Sequence, residues 1–250
     1  MSAYYGDPNV NKLRPMQRDE VLARLRAAAD PANVAGKARY GINVMGALGV
    51  PMPAIRAIAK EIRKDHALAL ALWDTGIPEC RLLAPMIADL SQTDEGLMER
   101  WVADLNSWDV CDGLCGNLLD RHPAAWTKAV EWSRRDEEFV RRAGFVLMAR
   151  LPARDKKAAD ERFRPFFKLI EQGAHDERNF VKKAVNWALR QIGKRDETLR
   201  CEAIACAHRV ARQNTAAARW IARDALRELE QETQIARIAS RTAKKAAARK

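Results

Sequence analysis

Apolar residues recur at the three-to-four spacing of one helix face along most of the chain, and no segment shows a convincing two-residue alternation of a strand. The pattern predicts helices near 17–29, 53–64, 66–74, 79–90, 94–104, 108–120, 123–133, 137–151, 156–172, 177–193, 196–212 and 215–231. Pro53 and Pro123 suit first-turn positions, and Gly76-Ile77-Pro78 and Gly173-Ala174-His175 read as breaks between helices. Phe139-Val140-Arg141-Arg142-Ala143 recurs 41 residues later as Phe180-Val181-Lys182-Lys183-Ala184, an internal repeat at solenoid period. Each copy is too short to bury its apolar stripe alone; stacked two-helix units bury it jointly and expose one long face. The expected fold is all-α, a curved solenoid of about six two-helix repeats. No linker or change of period divides it, so residues 1–236 are expected to form one domain and the basic stretch 237–250 a flexible tail.

On a helical wheel, Phe180, Val181, Ala184, Val185, Ala188, Leu189 and Ile192 fill one half, with Trp187 just outside it beside Lys183, Arg190 and Gln191. In the earlier copy Arg142 falls at the angle of Lys183. Either these residues edge a functional face, or Trp187 belongs to the core and Arg142 is a solvated charge. The segment Ser107-Trp108-Asp109-Val110-Cys111-Asp112 opens another helix, with Ser107 placed to cap it and Asp109 in its first turn. Asp112 stands one turn after Trp108 on the same surface, at the margin of a stripe made by Val110, Cys111, Leu114, Cys115 and Leu118, next to the bare surface of Gly116. A carboxylate there either pairs with a cation such as Arg142 or acts on a cationic substrate.

The balance of 44 Lys+Arg against 33 Asp+Glu, a formal charge of +11, favours a polyanionic partner such as nucleic acid. Apolar runs such as Ala67 to Trp73 are far shorter than a membrane span, and Met1 to Asp7 lacks the basic start of a secretion signal, which points to the cytosol. Cys80, Cys111, Cys115, Cys201 and Cys206 have no zinc-finger spacing and read as buried reduced thiols. The histidines at 66, 122, 175 and 208 are scattered. There is no glycine-rich phosphate loop or serine-nucleophile motif, so no metal and no cofactor is expected.

Trp108-Asp109-Val110-Cys111-Asp112, Arg142 in Val140-Arg141-Arg142-Ala143, Trp187 within Phe180 to Arg190, and the stretch Arg39-Tyr40 through Leu48-Gly49-Val50-Pro51-Met52-Pro53-Ala54-Ile55-Arg56 together resemble the AlkD family of HEAT-like-repeat DNA alkylation repair glycosylases. The resemblance covers about residues 20 to 230; the chain departs from it in its basic C-terminus and at Ser107. It implies a HEAT-like solenoid that excises cationic N3- and N7-alkylated purines from double-stranded DNA as a monomer, without flipping the base. Asp112, Trp108 and Trp187 would be catalytic; Arg142, Lys183, Arg190 and Tyr40 would bind DNA. A catalytically silent DNA-binding protein and a protein-binding scaffold are the alternatives.

Overall fold

The computed structural model describes residues 16–247, with side chains through Ser240. The chain there forms fourteen α-helices: α1 (Arg18–Ala27), α2 (Pro31–Arg39), α3 (Met52–Ile62), α4 (His66–Trp73), α5 (Pro78–Ile87), α6 (Glu95–Ala103), α7 (Trp108–Asn117), α8 (Ala125–Trp132), α9 (Glu138–Arg154), α10 (Arg164–Gly173), α11 (Asn179–Gly193), α12 (Glu197–Ala211), α13 (Ala216–Leu229) and α14 (Glu232–Ala247). From α3 onward the odd-numbered helices pack side by side, α3 on α5, α5 on α7, α7 on α9, α9 on α11 and α11 on α13. Behind them α4 packs on α5, α8 on α9, α10 on α11 and α12 on α13. This is the two-layer α-solenoid that the repeat predicts.

The layers are joined by one apolar core running from Val21 to Leu229. Trp73 and Trp101 stack within it at 4.3 Å between ring centroids. The repeated phenylalanines meet each other: Phe139 of α9 and Phe180 of α11 stack at 5.6 Å. In the back layer α8 approaches α9 so closely that a Cβ on Gly144 would lie 2.3 Å from the backbone nitrogen of Ser133. Helix starts are fixed locally, because the side chains of Asp30, Asp65, Asp94, Asp196 and Thr215 accept N–H groups of the first turns that have no partner within the helix.

The structure corrects the sequence expectations in four places. Helix α2 was not expected, because its nine residues carry no long apolar stripe and none of them is buried, although Asp30 caps it and Pro31 opens it. The helix expected over 156–172 begins at Arg164, after a turn and a short 3₁₀ segment at Asp160–Arg162; Pro165 lies in its first turn. Pro123 lies ahead of α8 rather than inside it. The stretch expected to be a flexible tail continues as α14 through Ala247 and packs on α12 and α13, with Ile238 fully buried; residues 248–250 lie outside the described residues.

Because Ile238 is buried, Ile238→Ala should remove about 2–5 kcal/mol of stability, as truncation of a buried isoleucine does. Urea unfolding followed by circular dichroism tests this; a change below about 0.5 kcal/mol, the size of an ordinary surface substitution, would mean that α14 is not part of the cooperative unit.

Candidate nucleic-acid interface around Asp112

Three consecutive helices of the front layer meet at one ion pair. Asp112 of α7 accepts from Arg142 of α9 in the two-pronged geometry of a carboxylate–guanidinium pair, Nε to Oδ1 at 3.0 Å and Nη2 to Oδ2 at 2.9 Å. The remaining nitrogen, Nη1, donates to the backbone carbonyl of Phe180 in the first turn of α11 at 2.6 Å. Arg142 is 5% exposed, whereas the Asp112 side chain keeps 25% of its surface open. Burial pushes the Asp112 carboxyl above the ordinary aspartate value, and the Arg142 guanidinium restrains the rise. Burial alone would lower the value of Arg142, but the Asp112 charge outweighs it, and the group remains a cation throughout. An acid whose folded value is raised favours folding most below the unfolded value of about 3.9, and that contribution is lost as pH rises through the folded value. Ionised Asp112 is therefore kept at the expense of stability.

Two clefts open on Asp112. One, of about 220 Å³, is lined by Tyr40, Trp108, Asp112, Arg142, Phe180 and Lys183. The other, of about 520 Å³, brings Lys37, Met52, Arg56 and Arg150 to the other side of Trp108 and Asp112. These two residues, neighbours one helical turn apart, form the wall that both clefts share. The Trp108 indole is held by a bond from Nε1 to the carbonyl of Tyr40 at 3.1 Å. Ser107 precedes α7 but does not cap it with its side chain. Its hydroxyl instead donates to Asp109 at 2.6 Å and accepts from the backbone of Asn43 at 3.2 Å, which fixes the loop before α3 to the start of α7.

The structure sorts the residues singled out by the sequence. Trp108, Asp112, Arg142, Lys183 and Tyr40 come together; Trp187 and Arg190 do not line either cleft. Arg142 is neither a solvated charge nor free for a phosphate, because all three of its nitrogens are bonded within the protein. Arg190 is likewise engaged, by Glu228 and by Asp224 at 3.7 Å. Trp187 is half-buried against the core, and its Nε1 donates to the Gln191 side chain at 3.0 Å with the amide turned to suit both groups. It stands one turn along α11 from Lys183, on the same surface. Gly116 is not bare, since Arg150 lies over it, with its Nη2 donating to the Gly116 carbonyl at 3.1 Å.

Two cations on the clefts have no ion-pair partner among the described residues: Lys183 on the smaller and Arg56 on the larger, both exposed. Arg56 was missed as a site residue. It lies in the stretch Arg39 to Arg56 that carries part of the family resemblance, but nothing in its spacing distinguishes it from a solvated surface charge. Beneath the site Cys111 and Cys115 are buried, and burial pushes the Cys111 thiol well up, which makes it a poor nucleophile. Cys201, expected to be buried, is exposed. Among the described residues no cluster of three potential metal ligands occurs.

The family described as DNA alkylation repair enzyme matches residues 21–229. Among solved structures, one from a family of proteins related to the HEAT-like repeat DNA glycosylases, with affinity for branched DNA structures, is similar in fold. It shares 21% identity over 85% of this chain and 95% of its own, at a TM-score of 0.70. No curated protein matches the chain.

Removing one partner of a buried ion pair leaves the other uncompensated, so Arg142→Ala should lower the free energy of unfolding by about 3–5 kcal/mol. Lys183→Ala, at an exposed position with no partner, should change it by less than about 0.5 kcal/mol. Parallel urea denaturation of the two variants decides the matter; equal, small effects would show that Arg142 does not tie α7, α9 and α11 together.

Proposed function

Because the chain belongs to the family of DNA alkylation repair enzymes, we propose that it is a monofunctional DNA glycosylase that hydrolyses the N-glycosidic bond of cationic N3- and N7-alkylated purines, such as 3-methyladenine and 7-methylguanine, in duplex DNA. The observation that carries this reading is the Asp112 carboxylate, held by Arg142 in the wall between two clefts and still partly open to them. Alkylation places a positive charge on the purine, so the bond to C1′ breaks with its electron pair passing into the ring, and the base leaves neutral. A strong general acid is unnecessary. What remains is a sugar with oxocarbenium character, which needs a nearby negative charge and a water, the same electronic demand as in glycoside hydrolysis.

Asp112 supplies that charge. At about 4 Å and an effective dielectric near 20, a carboxylate and a unit positive charge attract by about 4 kcal/mol, roughly a thousandfold in rate if the interaction arises only in the transition state. The water oxygen bonds to C1′ and one of its protons passes to solvent by way of the carboxylate, leaving an abasic site and free base. Trp108, in the same wall, offers an aromatic face to the cationic sugar or base, an attraction of about 0.5–2 kcal/mol. Lys183 and Arg56, one on each cleft, are the groups free to hold backbone phosphates, a positioning role without sequence preference. Trp187, one turn beyond Lys183, touches DNA only where the duplex continues along α11.

A second reading has its own support. Both Asp112 oxygens are occupied by Arg142, as they would be in a protein that binds DNA without cleaving it. Affinity for branched DNA, described for the protein of similar fold, would fit that alternative.

Asp112→Asn separates them. Excision of 7-methylguanine from methylated duplex DNA in single turnovers should fall by about a thousandfold, the whole electrostatic effect above, while DNA affinity is unchanged or rises because a negative charge is gone. Equal excision by variant and parent would remove Asp112 from the chemistry, and no release by the parent would favour the silent binder. Hypoxanthine and uracil, being neutral, should remain in place under the same conditions.

The pH profile is a further check. Only the carboxylate stabilises a cation, so log rate should fall on the acid side with a midpoint above the ordinary aspartate value of about 3.9, in the direction that burial sets. Arg142→Gln should move that midpoint higher still. A limb at or below the ordinary value would show that Asp112 is not the titrating group.

A further inference from the structure

Large apolar side chains standing singly on a surface are ordinary. Tyr40 and Met45 are different because both belong to one short loop, between α2 and α3, and are 76% and 77% exposed. The loop is not slack. At its base the fully buried Glu79 of α5 accepts from the Lys37 ammonium, the Leu48 N–H and the Gly49 N–H, each at 2.9 Å, and so holds both ends. At its middle the Ser107 hydroxyl holds the Asn43 N–H, and the Asn43 side chain in turn accepts from the Met45 N–H at 3.0 Å. At Tyr40 the carbonyl is held by Trp108. Gly41 and Gly46 take φ of 70° and 72°, the left-handed conformation that lets the chain reverse. Gly49, at 79°, also lies so close to α2 that a Cβ would sit 2.0 Å from the Asp30 carbonyl oxygen.

The eight residues from Tyr40 to Ala47 are thus fixed to the wall of the cleft with the Tyr40 and Met45 side chains exposed to solvent, where neither stabilises the fold. The surroundings identify what covers them. Tyr40 lines the same cleft as the unpaired Lys183, and Ile42 of the loop lines the cleft that holds the unpaired Arg56. A ligand that presents anions to these cations and flat apolar faces to the loop is a nucleic acid with bases accessible from the side. In an intact duplex those faces are stacked on one another. Apolar side chains reach them where stacking is broken or weakened, as the inserted side chains of DNA-bending proteins do.

We infer that the loop from Tyr40 to Ala47 is a rigid wedge that engages the exposed base faces of an unstacked step in duplex DNA, Tyr40 by ring stacking and Met45 by insertion. The inference rests on the DNA-acting reading above and adds to it how a damaged or distorted site is told from intact duplex. Because the loop is already ordered, binding does not have to overcome the entropy of fixing it.

The test compares two duplexes of equal length, one fully paired and one with a single bulged nucleotide beside a 2-aminopurine. The protein should bind the bulged duplex at least about fivefold more tightly, the lower end for a base stacked on an aromatic ring, and should change the 2-aminopurine fluorescence. The double variant Tyr40→Ala/Met45→Ser should lose the preference, read as the ratio of the two affinities, and the fluorescence change while keeping its melting temperature. Tyr40→Phe with Met45 intact should retain both signals. A preference that survives the double substitution, or none in the parent, overturns the wedge. The two proposals fail separately: 7-methylguanine excision without a bulge preference removes only the wedge, and a bulge preference that depends on Tyr40 and Met45 without excision removes only the glycosylase chemistry.

Discussion

Asp112 and Arg142 would each be unfavourable if buried alone, since a charge removed from water without a partner loses several kcal/mol of solvation. Placed opposite one another on adjacent helices they satisfy most of each other's bonding capacity, and the third guanidinium nitrogen reaches the carbonyl of Phe180. The pair consequently fixes three relations at once: α7 to α9 through the carboxylate, α9 to α11 through the carbonyl, and the outward direction of Asp112 through both. An aspartate on a solvated helix would sample several rotamers. Here one is selected, and the open edge of the carboxylate faces the clefts. The same contact that makes the site rigid also keeps the carboxylate charged against burial, so positioning and electrostatics have a single source.

The repeat explains why equivalent basic residues have different roles. Arg142 and Lys183 occupy the same place in successive copies, and Phe139 and Phe180 one turn earlier stack on each other. What differs is the helix that comes before. The neighbour of Arg142 on the preceding helix is Asp112, whereas the neighbour of Lys183 is Arg142 itself, and both line the same cleft. Lys183 therefore has no carboxylate to pair with and stays exposed. A repeat conveys the position of a side chain on its own helix; its charge partner comes from the next unit, which need not repeat.

This distinction also marks how far the sequence could be read. The apolar stripes of α7, α9 and α11 were legible, and Val110, Cys111, Leu114, Cys115, Val181, Ala184 and Leu189 are all buried as their spacing implies. The grouping of Trp108, Asp112 and Lys183 was legible because i to i+4 neighbours and equivalent repeat positions can be counted. The pairing of Arg142 with Asp112 was legible only as one of two alternatives, and that of Arg190 was not legible at all. Their acidic partners lie 30 and 38 residues away, and only the packed structure brings them into contact. Helix α2 escaped for the opposite reason, since its nine residues include none that is buried and so carry little pattern. The helical continuation after residue 231 was obscured by its charge, which outweighs to the eye the few buried positions, Gln234 and Ile238, that seat it.

The charge of +11 is not spread evenly over the front layer, and its distribution bears on where a polyanion would lie. Toward the C-terminal end, Arg190 of α11 and Lys194, which follows that helix, both bond to Glu228 of α13, with Asp224 beside Arg190, so these cations are largely neutralised in place. On the clefts around Asp112, by contrast, Arg56 and Lys183 remain without carboxylates among the described residues. Pairing within the protein competes with pairing to phosphate, because a cation already desolvated against a carboxylate gains little from a second anion while its first is left behind. Under the proposed function a phosphate backbone would be drawn to the two open cations, one on each of the clefts that share Trp108 and Asp112. A strand bridging them would cross that wall, and the crossing would carry a sugar past the partly exposed carboxylate of Asp112, which both clefts share.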